Sequence, residues 1–393
     1  DVRKIFDISM KWGPPKLQGP DGHSKHIPWE SGMQKWIIDK PGVSFELLND
    51  AKVDYFNTLR DKLHENRMFW IQDLKVLTWD QAVNGIPGKR FIDAINFTSS
   101  IGFPFRGPKK NFSVDKGRHR EWQNYRLLDP EFIEEAEKIE NLLLERKRYY
   151  PWYTSTLKDE PTDVTKEKVR VFQASSTPFQ LVVRKYTLPI CRFLQMNPLI
   201  SESAVGIDPT SIEWHEMVMH LKDMQTPLYD RWFAVDYKAY DTSISSQLIL
   251  AVGSIFCDLA KEIGYLDSDI IILQSIFTEL AFSVVDFNGD VLILDGANPS
   301  GNPLTVFING LVNSLLMRMC FYSLYPSYKF GKHVRLMDYG DDLIGSIRST
   351  VPKFNMQSFA EFVLEFGFTV TSADKTTALQ KYVSIEKVDF LKR

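Results

Sequence analysis

The chain has 393 residues, enough for two or three domains or one large lobed one with an ample core. Its 47 Lys and Arg against 50 Asp and Glu leave a net charge of −3, which excludes a global basic field for nucleic acid or anionic membrane, so any polyanion site must be local. Cys191, Cys257 and Cys320 lie far apart in apolar stretches, which predicts buried, reduced thiols of an intracellular protein and neither disulfides nor zinc.

No stretch has the unbroken apolar length of a membrane span, and no signal-peptide apolar region follows the first residues. A start at Asp1 suggests excision from a longer precursor. Residues 1–45, rich in Gly, Pro and Trp, read as an ordered but irregular wrap. From residue 45 to 68 apolar side chains recur at helical spacing (Leu47, Leu48, Ala51, Tyr55, Leu59, Leu63), which predicts a surface helix packed on one face. The loop at 98–104 carries Thr98, Ser99, Ser100 and Gly102. Its Gly and Pro prevent helix and leave backbone amides free for an anion.

Between residues 106 and 126 seven Lys or Arg stand against two acids, interleaved with Phe112, Trp122 and Tyr125. That pattern suits a groove tracking a nucleic-acid strand, and equally a solvated loop. Asp129-Pro130-Glu131 opens a predicted helix to about Arg148, with acids in its first turn and Arg146-Lys147-Arg148 in its last. Farther on, Lys158-Asp159-Glu160 and the run from Lys166 to Val171 read as two limbs of an extended ribbon. Alternation puts Lys166, Lys168 and Arg170 on one strand face, either simply exposed or gripping a triphosphate.

The run Arg231-Trp232-Phe233-Ala234-Val235-Asp236 predicts a buried strand delivering a carboxylate near its end. Asp241, five residues on, is a candidate helix N-cap for a segment starting near Ser245, and residues 247–260 read as a buried helix. A hairpin is predicted at Phe287-Asn288-Gly289-Asp290. Then Asn298-Pro299-Ser300-Gly301-Asn302-Pro303 leads into an amphipathic helix to about Cys320, with Pro303 in its first turn and Thr305, Asn309 and Asn313 on one face. Short apolar runs flank Tyr339-Gly340-Asp341-Asp342, so two adjacent carboxylates sit at a hairpin tip. Their mutual repulsion is best relieved by a hard divalent cation, Mg²⁺ first, and Asp236 is the third carboxylate such a site needs. A helix at 359–366 and short extended pieces close the chain.

A strand ending in Asp236, a Ser-Gly loop feeding a Thr/Asn-faced helix and a Tyr-Gly-Asp-Asp hairpin, in that order, resemble the palm of RNA-dependent RNA polymerases, most of all those of picorna-like positive-strand RNA viruses. The resemblance covers residues 98–393. It implies an α/β (α+β) right-hand fold of fingers plus palm, the palm a ferredoxin-like antiparallel sheet with helices on one face. Fingers would span 1–192, the palm 193–244 and 298–393, and a fingers insertion 245–297. The family's helical thumb would follow Arg393.

Carried over residue by residue, the resemblance makes Asp236 and Asp341 the pair binding Mg²⁺ or Mn²⁺, with Asp342 assisting and Tyr237 offering its backbone carbonyl. Asp241, Ser300, Thr305 and Asn309 would check the ribose 2′-hydroxyl. Lys158, Lys168 and Arg170 would grip the incoming triphosphate, and Lys375 would donate a proton to pyrophosphate. Thr98, Ser99, Ser100 and Gly102 would meet the entering template, and Phe390, Leu391 and Lys392 would form a primer-grip hairpin. The implied partners are an RNA template and primer, nucleoside triphosphates, a protein primer and other viral replication proteins, in the host cytoplasm at membrane-associated complexes. Two departures stand out: Pro303 replaces a small flexible residue, and Asp1 replaces the buried Gly of picornavirus enzymes.

The chemistry accounts for these residue types. Two metals about 3.5–4 Å apart activate a 3′-hydroxyl and stabilise attacking and leaving oxygens, and a 2′-hydroxyl, both donor and acceptor, is recognised by an Asp with an Asn. The rivals are a reverse transcriptase, which usually sets a bulky aromatic against the sugar, and a non-catalytic RNA-binding scaffold, which has no need to hold three acids together.

Overall fold

A computed structural model of the chain describes residues 12–13, 28–163, 170–224, 231–373 and 378–392. The first helices are α1 (Pro28–Trp36) and α2 (Phe45–His64). In α2, Ser44 caps the first turn by accepting from Leu47 N, and Leu48, Ala51, Tyr55, Leu59 and Leu63 form the buried stripe that their spacing predicts. Two short helices, α3 (Arg67–Asp73) and α4 (Trp79–Asn84), follow. The basic stretch then folds as a hairpin of β1 (Ser113–His119) and β2 (Trp122–Leu128) instead of a loop. Register shifts between Asp115 and His119 break the period-two pattern that would have announced those strands.

Helix α5 (Pro130–Leu144) stops short of the predicted end. Arg146 turns to φ 58°, so the basic triplet 146–148 lies beyond the helix instead of in its last turn. An antiparallel ribbon lies next to the predicted limbs: β3 (Trp152–Leu157) and β4 (Val171–Ser175) pair, with Lys158 N donating to Arg170 O at 2.8 Å just past the paired register, but residues 158–160 themselves are not in a strand, and Lys166 and Lys168 lie outside the described residues. Helix α6 (Thr177–Met196) is largely buried, and α7 (Ile212–Lys222) is capped by Ser211.

The strand that bears the first carboxylate is β5 (Trp232–Lys238), followed by the one-turn helix Tyr240–Ser243. Then come α8 (Ser246–Glu262), α9 (Asp267–Ala281) and the hairpin of β6 (Val284–Phe287) and β7 (Asp290–Ile293). Helix α10 (Thr305–Leu324) begins after Pro303, which therefore stands in the preceding loop and not in the first turn. Nor is α10 amphipathic: every residue from Phe307 to Phe321 is buried, because the helix runs between α2, α8, the strand β8 (Val334–Tyr339) and the helix α11 (Met356–Leu364). Strands β9 (Asp342–Ile347) and β10 (Thr369–Ser372) complete the chain's named elements.

Two four-stranded sheets result. One, in the order β4-β3-β6-β7, carries the ribbon and the 284–293 hairpin, with β3 and β6 parallel. The other, β8-β9-β5-β10, is antiparallel throughout, and its chain order β-α-β-β-α-β is the ferredoxin-like connectivity. Phe233, Val235, Leu336 and Leu343 of this sheet join the main core with α10, whereas Trp232, Met337 and Ile344 pack with Met217 and Leu221 of α7. Helices thus cover both faces, where one was expected. The unbroken apolar run in β5 is what a strand buried on both sides requires. The three cysteines are buried and unbridged, and among the described residues no helix is long and apolar enough to cross a membrane.

Candidate active site

Strands β8 and β9 turn through Gly340 and Asp341, with Gly340 at φ 69°, a conformation glycine adopts freely. The turn is held from below by Asn313, whose Nδ2 donates to Gly340 O at 2.7 Å from the buried face of α10. Asp342 is half-buried and Asp341 exposed. The register of β9 on β5 pairs Leu343 with Val235, so one further step sets Asp342 beside Asp236. Asp236, 6% exposed, accepts from the Tyr237 amide at 2.6 Å. Repelling carboxylates are thus brought to one end of the sheet, near Asp241, whose carboxyl feels the charge of Asp341. No group of three or more His, Cys, Asp or Glu side chains converges as a ready-made metal cage among the described residues, against the expectation of three. The oxygen donors present still suit Mg²⁺ or Mn²⁺, since Mg²⁺ is commonly held by one or two carboxylates plus substrate phosphates.

Asp241 does not cap a helix; Ser245 itself caps α8. The Asp241 carboxylate instead accepts from Asn309 Nδ2 at 2.6 Å, joining the end of β5 to α10. Burial raises its pKa, the hydrogen bond from Asn309 opposes that rise and the charge of Asp341 adds to it. Thr305 turns its hydroxyl to Pro299 O and Asn302 O, and Ser300 accepts from Gln173 N of β4 at 3.2 Å. The predicted ribose-checking set is therefore split into an Asp241–Asn309 pair and two hydroxyls that secure the loop before α10.

At the base of the ribbon, Glu160 lies 2.8 Å from Lys158 and 3.5 Å from Arg170. Burial pushes the Glu160 carboxyl up, but these two cations outweigh it and hold it below its ordinary value. Lys168 and Lys375 lie outside the described residues.

The loop expected to offer free amides uses them internally. Thr98 N and Ser99 N donate to Asn96, Ile101 N to Gly107 O, and Gly102 N to Ser100 Oγ. Beneath it Lys109, 2% exposed, donates to Ser99 Oγ at 2.8 Å and Ser100 O at 2.6 Å. Burial and the neighbouring Arg184 lower its pKa to about 8. The hydroxyls of Thr98 and Ser99 are likewise turned to Asn96, at 2.7 Å each. Phe390 is buried, its ring stacked 6.3 Å from Trp214, and Leu391 and Lys392 form a turn at positive φ.

Two buried groups escaped the sequence reading. Asp338 is 1% exposed and faces α10, on the opposite side of the sheet from Asp236, and burial, with Glu202 adding, drives its carboxyl well above the usual range. It fits because Gly310 leaves a notch: a Cβ there would stand 2.0 Å from Asp338 Oδ1. Gly310→Ala is expected to destabilise the chain by about 1–3 kcal/mol through overpacking. In an Asp338→Ala background the same change should be neutral or stabilising, since alanine is the better helix former. Thermal unfolding of the wild type and the three variants checks this. The second group is Arg318, fully buried, bidentate to Glu202 at 2.8 Å and 2.9 Å from Asp54 of α2. The Glu202 loop in turn docks on β8, with Asp338 N donating to Glu202 O at 2.8 Å and Ala204 N to Asp338 O at 2.7 Å.

The chain resembles known proteins over most of its length. The family model described as viral RNA-dependent RNA polymerase matches residues 48–393. The replicase polyprotein of Drosophila C virus is 28% identical over 94% of the chain, and the RNA1 polyprotein of cowpea mosaic virus 25% identical over 95%. The chain spans 22% and 20% of those polyproteins. The solved structure of the Sicinivirus 3Dpol RNA-dependent RNA polymerase shares the fold, with a TM-score of 0.78 at 23% identity, covering 98% of this chain and 75% of that one.

Proposed function

Because the chain belongs to the viral RNA-dependent RNA polymerase family, we propose that it catalyses template-directed RNA synthesis from nucleoside triphosphates during viral genome replication. The observation that carries this reading is the strand register that sets Asp342 beside Asp236, next to the Asp341 turn, at the end of the ferredoxin-like sheet where the Asp241–Asn309 pair lies. In this reading that sheet with its helices is the palm, and the ribbon sheet and β1–β2 hairpin belong to the fingers.

Asp236, Asp341, Asp342 and the Tyr237 carbonyl would hold Mg²⁺ or Mn²⁺, which supplies charge stabilisation for the in-line attack of a 3′-hydroxyl on the α-phosphate. Lys158 and Arg170 bind the triphosphate, exchanging Glu160 for phosphate oxygens as charge-assisted hydrogen bonds form. Lys168 and Lys375 take the triphosphate and proton-donor roles on the strength of the motif alone. Asp241 and Asn309 present acceptor and donor to the ribose 2′-hydroxyl, which favours ribonucleotides. Ser99 and Ser100, braced by Lys109, guide the template. RNA template and primer, a protein primer and other viral replication proteins are the proposed partners, at membrane-associated complexes in the host cytoplasm.

Primer extension on a short RNA template tests the assignment. Ribonucleotide incorporation that requires a divalent cation is expected. RNA binding without turnover would instead favour a scaffold, and a preference for deoxynucleotides a reverse transcriptase.

A further inference from the structure

The pair that would read the ribose is the end of a longer chain of amides. Leu304 N donates to Asn302 Oδ1 at 2.7 Å, Asn302 Nδ2 to Asn298 Oδ1 at 3.0 Å, Asn298 Nδ2 to Asn309 Oδ1 at 2.7 Å, and Asn309 Nδ2 to Asp241 Oδ1 at 2.6 Å. Asn302, Asn298 and Asn309 are 6%, 1% and 5% exposed, so water does not compete for these bonds.

The direction of the series is forced from its ends. A backbone N–H can only donate and an ionised carboxylate can only accept, so each amide between Leu304 and Asp241 has one permitted orientation. The two inner amides are also saturated: Asn302 Nδ2 donates again to Pro299 O at 2.9 Å, and Asn298 Nδ2 to Thr305 O at 3.0 Å. Asn309 differs. Its Nδ2 has one hydrogen on Asp241, and among the described hydrogen bonds no acceptor takes the second.

We propose that Asn302 and Asn298 are positioning residues for sugar selection: they lock the Asn309 amide so that its remaining N–H and the Asp241 carboxylate face the 2′-hydroxyl of the incoming nucleotide as fixed donor and acceptor. The role rests on the polymerase reading. Without Asn298 the Asn309 oxygen loses its donor, and the amide, then held by Asp241 alone, is free to swing about that one bond. Its second N–H would then no longer be fixed on the hydroxyl. A 2′-deoxynucleotide makes neither contact, so it is indifferent to the orientation.

The ratio of kcat/KM for a ribonucleotide to that for its 2′-deoxy analogue, measured by primer extension, tests this. Asn298→Leu, close in size but without hydrogen-bonding groups, should lower that ratio about tenfold, the worth of a well-made hydrogen bond. The loss should fall mainly on the KM of the ribonucleotide. Asn302→Ala, one link farther away, should lower it less. The ratio is internal to the active molecules, so partial misfolding of a variant does not mimic the effect. If both variants slow the two substrates equally and keep the wild-type ratio, the relay has only a packing role and the proposal is overturned. If the wild type extends with neither substrate, the polymerase reading itself fails, and the relay's role with it.

Discussion

Replacing Asp341 with alanine is expected to abolish nucleotide incorporation while leaving the thermal unfolding midpoint unchanged. The residue stands exposed in a turn whose shape is set by Gly340 and by the Asn313 bond to the Gly340 carbonyl. Surface substitutions of that kind usually change stability by no more than about 0.5 kcal/mol. The chemical loss is far larger. A divalent ion's stabilisation of charge on the reacting phosphate is worth several kcal/mol, and each 1.4 kcal/mol is about tenfold in rate, so a fall on the order of 10³-fold or more follows. Incorporation at the wild-type rate by this variant would contradict the placement of the site.

The second large effect concerns folding. Arg318→Met should destabilise the chain by about 3–5 kcal/mol, the cost of leaving a buried carboxylate without its partner. Burial works against the arginine's charge, but Glu202 and Asp54 outweigh it and keep the guanidinium protonated. Because its partners lie on α2 and on the loop docked to β8, the loss is not confined to α10. A Glu202→Gln change in the same background should cost less than the two single changes added together, since the methionine variant no longer has a charge for Glu202 to neutralise. Additive losses in denaturant unfolding would mean that the two side chains do not act as a unit.

The contrast between these two sites shows which parts of the molecule a sequence exposes. The Asp341 hairpin is local: Gly340 and two apolar runs within fourteen residues define it, and the structure pairs Val334 with Ile347 accordingly. The stripe on α2 is likewise written in spacing alone. The Arg318 cluster is not, because its carboxylates lie 116 and 264 residues away and neither Glu202 nor Asp54 has a neighbour that marks it. The Asn298 and Asn302 amides were visible, but Asn beside Pro and Gly reads as turn chemistry, and only the fold shows that they point inward and join. The β1–β2 hairpin failed to announce itself for another reason: its buried side chains, Trp122, Tyr125 and Leu128, recur every three residues in a strand whose partner is bulged.

The docking of the 202–204 loop on β8 also bears on how copies of this chain behave together. Strand β8 is an edge of its sheet, and its outward N–H and C=O groups would be a template for a strand from another molecule. The loop takes up those groups at Asp338, one residue from the hairpin end of the strand, and ties itself to Arg318 through Glu202. An intruding strand would therefore have to dislodge an ion-paired segment before it could add to the sheet. The clamp that steadies the hairpin thus also guards this edge against intermolecular strand addition, the route by which exposed edges lead to aggregates.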